Sequence, residues 1–133
     1  MTTYVDTSAF VAVLNRADEN HAGARRIWEK LLTEQDQLLT TSYVLVETIA
    51  VVQRRLGMEA ARAFQESIVP LLRIEWVDAM LHRAGVSAVL TANRWDLSLV
   101  DCVSFVVMRQ LALSQAFAFD AHFGEQGFEV LSG

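Results

Sequence analysis

Apolar residues recur in this chain with two different rhythms. Short apolar runs bounded by polar or turn residues predict strands over residues 2–6, 38–41, 74–77, 116–119 and 128–131. Between them, apolar positions three and four apart predict helices. The first covers 8–17, and the polar break Asp18-Glu19-Asn20 opens a second over 21–33, where Ala24, Ile27, Trp28, Leu31 and Leu32 share a face. A third helix runs 42–56, capped by Ser42 and stopped by Gly57. A fourth runs 58–72, with Pro70 disturbing its last turn. The spacing predicts two more, over 79–94, where Gly85 is tolerated, and over the strongly apolar 99–113. Strands alternating with helices imply an α/β fold whose mostly parallel sheet is covered on both faces. Ligands in such sheets bind beyond the carboxyl ends of the strands.

Composition narrows the class. The chain has 133 residues, 53% hydrophobic and 20% charged, so one packed domain over 1–133 is expected and a disordered tail is not. No apolar stretch approaches the roughly 20 residues that span a bilayer. The opening Met1-Thr2-Thr3-Tyr4-Val5-Asp6 carries neither a basic leader nor an apolar core, so a cytoplasmic protein is expected. The single Cys102, among valines, reads as a small buried filler. A net charge of −5 argues against holding nucleic acid by a broad basic surface, unless bound metal neutralises part of it. The apolar excess implies a covered face, for a dimer or another partner.

Four acids stand in apolar surroundings. Asp6 follows Thr3-Tyr4-Val5, and Asp120 follows Ala116-Phe117-Ala118-Phe119. Glu47 lies within 43–52 and Asp101 within 97–108, and no Lys or Arg adjoins any of them. Asp6 reads equally as a helix cap and Asp120 as a turn residue. Glu47 and Asp101 have apolar or small neighbours three and four positions away, so they do not lie on a solvated stripe. Capping after Ser42 would place its acid at Leu45 and does not explain Glu47. A buried ion pair with Arg54 or Arg109 is the structural alternative. If the four converge, they raise one another's pKa until a cation joins them. Oxygen donors alone favour magnesium or manganese over zinc, and hydrolysis of a phosphodiester is the chemistry such a site performs.

Val5-Asp6-Thr7-Ser8-Ala9-Phe10, Glu47 in the helix after the second strand, Leu99-Val100-Asp101 and Phe119-Asp120-Ala121-His122-Phe123 resemble the PIN-domain ribonucleases, most closely the VapC-type toxins of toxin–antitoxin pairs. The resemblance spans the whole chain in length and in the order of the acids. It implies a three-layer α/β/α domain with a central five-stranded sheet. It also implies an endoribonuclease that uses Mg2+ or Mn2+ bound by Asp6, Glu47, Asp101 and Asp120, forms a homodimer and is blocked by a small antitoxin protein. Ser8 matches a hydroxyl that supports the first acid. Ala118 departs from the Thr or Ser common two residues before the fourth acid.

Other residues carry weaker readings. Ser104, one turn beyond Asp101, contacts water or substrate, or else packs the helix. His122 lies near the fourth acid but is expected to take no direct part in catalysis, and His21 and His82 read as surface residues. Arg94 and Trp95 form either an RNA-holding pair or a solvated loop with Trp95 anchored in the core. Arg54 and Arg55 read as exposed helix charges, with phosphate contact as the lesser alternative, and Met58, Met80 and Met108 as packing. Two other functions remain open: a PIN-like module that binds RNA or protein without cutting, and an aspartyl phosphotransfer or phosphatase domain. The second is disfavoured because Ser8 stands where a second Asp belongs and the only lysine, Lys30, is remote.

Overall fold

A computed structural model describes residues 1–132. Five strands, β1 (Thr2–Val5), β2 (Gln37–Thr41), β3 (Leu72–Glu75), β4 (Gln115–Phe117) and β5 (Glu129–Leu131), pair in the order β3-β2-β1-β4-β5. Every pairing is parallel, so the sheet is wholly rather than mostly parallel. Successive side chains of a strand point to opposite faces. Yet Thr3, Tyr4 and Val5 are all buried, as are Leu38 to Thr41 and Gln115 to Phe117. Both faces are therefore covered, as a parallel sheet requires. The cover comes from α1 (Thr7–Leu14), α2 (His21–Thr33), α3 (Ser42–Arg55), α4 (Met58–Ala63), α5 (Ala79–Ala92), α6 (Leu99–Gln110) and α7 (His122–Glu125). From β1 the chain progresses to β2 and β3 on one side, while β4 and β5 lie on the other. The strand order thus reverses between β1 and β4, and a crevice opens there at the strands' carboxyl ends.

Several boundaries differ from the sequence expectation, each for a local reason. The helix foreseen over 58–72 stays α-helical only to Ala63, then widens into a π turn over Phe64–Ile68 and tightens into a 3-10 turn over Val69–Leu71. Pro70 has no N–H to give Glu66, so the ladder cannot continue, and β3 begins two residues earlier than expected. α1 ends at Leu14, because the Asn15 side chain accepts from the Ala17 N–H and turns the chain. Asn93 and Ala112, both with positive φ, end α5 and the turn after α6 before the expected limits. Thr41, not Ser42, caps α3: its hydroxyl accepts from Val44 N–H, while Ser42 Oγ accepts from Val77 N–H. α7 was not foreseen.

Apolar identity also misled locally. Met58 and Met80 are 57% and 78% exposed, so they do not pack, and Trp95 is 99% exposed rather than anchored in the core. Met108 and Cys102 are buried as expected.

Gly85 is required rather than tolerated. A Cβ there would drive into Val103 Cγ2 and lie 3.2 Å from Leu99 Cδ1, both on α6. Val103 is fully buried and β-branched, so it has little freedom to move aside. Gly85→Ala is expected to lower unfolding free energy by about 1–3 kcal/mol, read from urea denaturation. An unchanged midpoint would show that α5 and α6 separate at no cost.

Candidate active site

Asp6 leaves β1 at the strand-order reversal, and its N–H donates to Phe117 O of β4 at 3.1 Å. It caps α1: Oδ2 accepts from Ser8 N–H at 3.1 Å and from Ser8 Oγ–H at 2.6 Å. Ser8 Oγ in turn accepts from Phe119 N–H at 2.9 Å, tying down the exit of β4 where Ala118 offers no hydroxyl. Both the cap and the ligand readings of Asp6 are thus compatible, since Oδ1 is left over. Burial pushes the Asp6 carboxyl up to about 7; the Ser8 hydrogen bonds oppose this, and the Asp101 and Asp120 charges add to it.

Asp101 comes from the first turn of α6, where it forms a capping box with Ser98. Its N–H donates to Ser98 Oγ at 3.0 Å, and its Oδ2 accepts from Ser98 N–H at 3.2 Å. Burial and the charge of Asp120 raise its pKa. Asp120 follows β4 and accepts from His122 N–H through Oδ1 at 2.9 Å. Glu47 enters the same cleft from α3. Thr48 beside it donates to Thr7 Oγ1 at 3.2 Å, fixing α3 against α1.

All four acids line one cleft of about 430 Å³, together with Ser8, Asp18, Ser98 and Arg55. None of the four forms an ion pair with Lys or Arg among the described residues. Arg54 and Arg109 therefore do not supply the buried pair that was the alternative; Arg109 instead holds the Gln126 side chain at 2.7 Å and lies over the Phe128 ring. A larger cleft of about 540 Å³, between Met1, Ile27, Leu31, Gln115 and Glu129, holds none of the acids.

The structure decides between the two readings of Ser104 and moves Arg55 into the cleft. Ser104 does not reach water or substrate. It is 0% exposed, donates to Val100 O at 2.9 Å and shares a hydrogen bond with the Tyr4 hydroxyl, so it packs the helix. Arg55, read as an ordinary surface charge, lines the cleft. Glu47, Val51 and Arg55 are spaced four apart, which is the signal that placed them on one helix face.

His122 stands behind the acid wall. Its Nδ1 is 2.9 Å from Asp120 Oδ1 and 3.9 Å from Asp101 Oδ2, while Nε2 is 3.3 Å from Asp96 Oδ2. Nδ1 is buried and makes no hydrogen bond. Burial disfavours the charged ring, but Asp120, Asp96 and Asp101 outweigh it and raise the pKa. Asp101, Asp120 and His122 each offer a ligand atom within 4.8 Å of the others. Carboxylates with no Lys or Arg ion pair among the described residues, beside an imidazole nitrogen without a hydrogen bond, form a donor set that fits a divalent cation.

Comparison with known proteins agrees with this geometry. The PIN-domain family profile matches residues 3–129. The 23S rRNA-specific endonuclease VapC20 of Mycobacterium tuberculosis is 33% identical over 126 residues, covering 94% of each chain. The crystal structure of that organism's VapC20, described as a sarcin–ricin-loop-cleaving toxin, superposes with a TM-score of 0.85 at 32% identity, covering 96% of both chains. FitAcB from Neisseria gonorrhoeae shares the fold at 18% identity, with a TM-score of 0.70 over 98% of this chain and 96% of that one. With the profile spanning nearly the whole sequence and the acids gathered where β1 and β4 part, the chain belongs to the PIN-domain family.

Proposed function

We propose that the protein is an endoribonuclease that hydrolyses RNA phosphodiester bonds with Mg2+ or Mn2+, and that it is the toxin of a toxin–antitoxin pair. The observation that carries this reading is the convergence of Asp6, Glu47, Asp101 and Asp120 in one cleft with no Lys or Arg ion pair to any of them among the described residues. The likeness to an rRNA endonuclease over 94% of the chain supports RNA as the substrate class. Structured loops of ribosomal RNA are the first candidates, because such a loop is the target of the relative with the same fold.

Asp6, Asp101 and Asp120 would hold the ion, with Glu47 facing them. Once bound, a divalent ion supplies Lewis-acid chemistry at phosphorus. Ser8 orients Asp6 by holding one oxygen and leaving the other free. Glu47, with no hydrogen bond or ion pair among the described residues, accepts a proton from the attacking water. Among the described residues Arg55 is the one Lys or Arg lining the cleft, and it meets an RNA phosphate. Arg55→Ala is expected to raise KM about ten-fold at low salt and to change kcat little, measured by steady-state cleavage. A fall in kcat at constant KM would move Arg55 from binding to chemistry.

The inhibitor protein and a second copy of the chain would use the apolar surface left in water, where Val46, Trp76, Met80 and Leu90 are each more than two-thirds exposed. The direct test incubates the purified protein with a ribosomal RNA hairpin and with a mixed RNA pool. Cleavage with Mg2+ or Mn2+, and none with EDTA, is expected. Intact RNA from folded, metal-loaded protein would dismiss the reading.

A further inference from the structure

We propose that His122 Nδ1 is a ligand of the divalent ion in the acidic cleft, that Asp96 and Arg94 hold the ring for this task, and that the site therefore selects Mn2+ over Mg2+. The inference rests on the metal-dependent reading above and adds a nitrogen donor beside Asp101 and Asp120.

The argument begins with the orphaned atom. Nδ1 of His122 is buried, hydrogen-bonded to nothing, and 2.9 Å from Asp120 Oδ1. Two electron-rich atoms at that separation need a cation or a proton between them. Two adjacent ligands of an octahedral ion, with bonds of about 2.1 Å at right angles, lie about 3.0 Å apart. Opposite ligands lie about 4.2 Å apart. The separations of Nδ1 from Asp120 and Asp101, 2.9 and 3.9 Å, fall close to these two values.

The other side of the ring is built for the same purpose. A proton on Nε2 donates to Asp96 Oδ2 at 3.3 Å, which leaves the Nδ1 lone pair facing the acids. Asp96 is itself gripped at both oxygens by Arg94, at 3.1 and 2.8 Å, and Arg94 Nη1 reaches Glu125 on α7 at 3.2 Å. The Arg94 hydrogen bonds hold Asp96 down to about 2, so it stays an acceptor. A carboxylate that takes the far N–H of a ligating histidine fixes both tautomer and ring orientation. Imidazole nitrogen suits transition ions better than Mg2+, and Mn2+ also accepts carboxylate oxygens.

The experiment uses the tag-free full chain and MnCl2. Electron spin-echo modulation of bound Mn2+ is expected to show 14N coupling in the wild type and none in His122→Gln. Calorimetry is expected to show Mn2+ affinity at least about ten-fold weaker in His122→Gln, with Mg2+ affinity changing far less. Asp96→Asn, acting only through the ring, is expected to weaken Mn2+ about ten-fold while retaining nitrogen coupling. Bound Mn2+ without nitrogen coupling, or the same coupling in His122→Gln, overturns this inference and leaves the carboxylate site standing. Failure of the wild type to bind Mn2+ at all overturns both.

Discussion

Asp101→Asn is expected to lower kcat/KM for RNA cleavage by about a hundred- to a thousand-fold while the fold survives. The two outcomes separate because Asp101 has two jobs. Its carboxylate closes the capping box at the start of α6, accepting from Ser98 N–H, and it also faces Asp120 and the cleft. An asparagine amide oxygen accepts the same hydrogen bond, and Asn caps well, so α6 should start where it does now. What is lost is one negative charge beside the ion. Removing it from a partly buried site also relieves repulsion from Asp120, so the metal-free variant should melt no lower than wild type. Single-turnover cleavage and thermal melting, run on the same samples, check both halves. Wild-type rates from a variant with unchanged melting would remove Asp101 from the chemistry.

The metal-free protein is expected to become less stable as pH rises from about 4 towards 8, and divalent metal should restore stability most at the alkaline end. Asp6 moves from an ordinary 3.8 to about 7 on folding. Between those values the native state keeps a proton that the unfolded chain has released, so stability falls as pH rises through this window. Asp101, also raised, acts in the same direction. His122 adds to it: a raised histidine contributes stability that is complete below its unfolded value of 6.5 and disappears as pH rises through the folded one. For the deeply buried Asp6 the effect is at most on the order of 4 kcal/mol, at 1.36 kcal/mol per unit. That corresponds to roughly 15 °C in melting temperature for a domain of this size. Scanning calorimetry at pH 5 and pH 8, with EDTA and with millimolar Mn2+, tests the sign. In EDTA, Asp6→Asn should flatten the profile. Melting temperatures that climb with pH, or a metal effect equal at both values, would contradict it.

Much of this site was legible because of the cost of charge among apolar residues. Asp6, Glu47, Asp101 and Asp120 announced themselves by lacking solvated neighbours and basic partners, and the alternation of rhythms placed two of them at strand ends. The capping box at Ser98 and Asp101 is equally local, since a serine stands three residues before an acid at the start of α6. The surroundings of His122 were less legible for a different reason. Its partners Asp96, Asp101 and Asp120 come from three segments, and the contact with Asp96 closes across 26 residues of chain. No local pattern reports such a meeting. Trp95 and Met80 mark another limit, since apolar side chains need not be buried. Gly85 marks a third: its value lies in how closely α6 approaches, which its own neighbours in sequence do not encode.

Because all five strands run the same way, the two ends of the molecule are not equivalent for anyone who wishes to tether it. Met1 enters β1 at the edge away from the acids, so a tag or support attached there hangs clear of the cleft. β5 finishes at the other edge, and Ser132 shares a recess with Phe119 and Asp120. A bulky group attached to Ser132 would therefore sit beside Asp120 and crowd an incoming RNA, whereas one attached to Met1 would not.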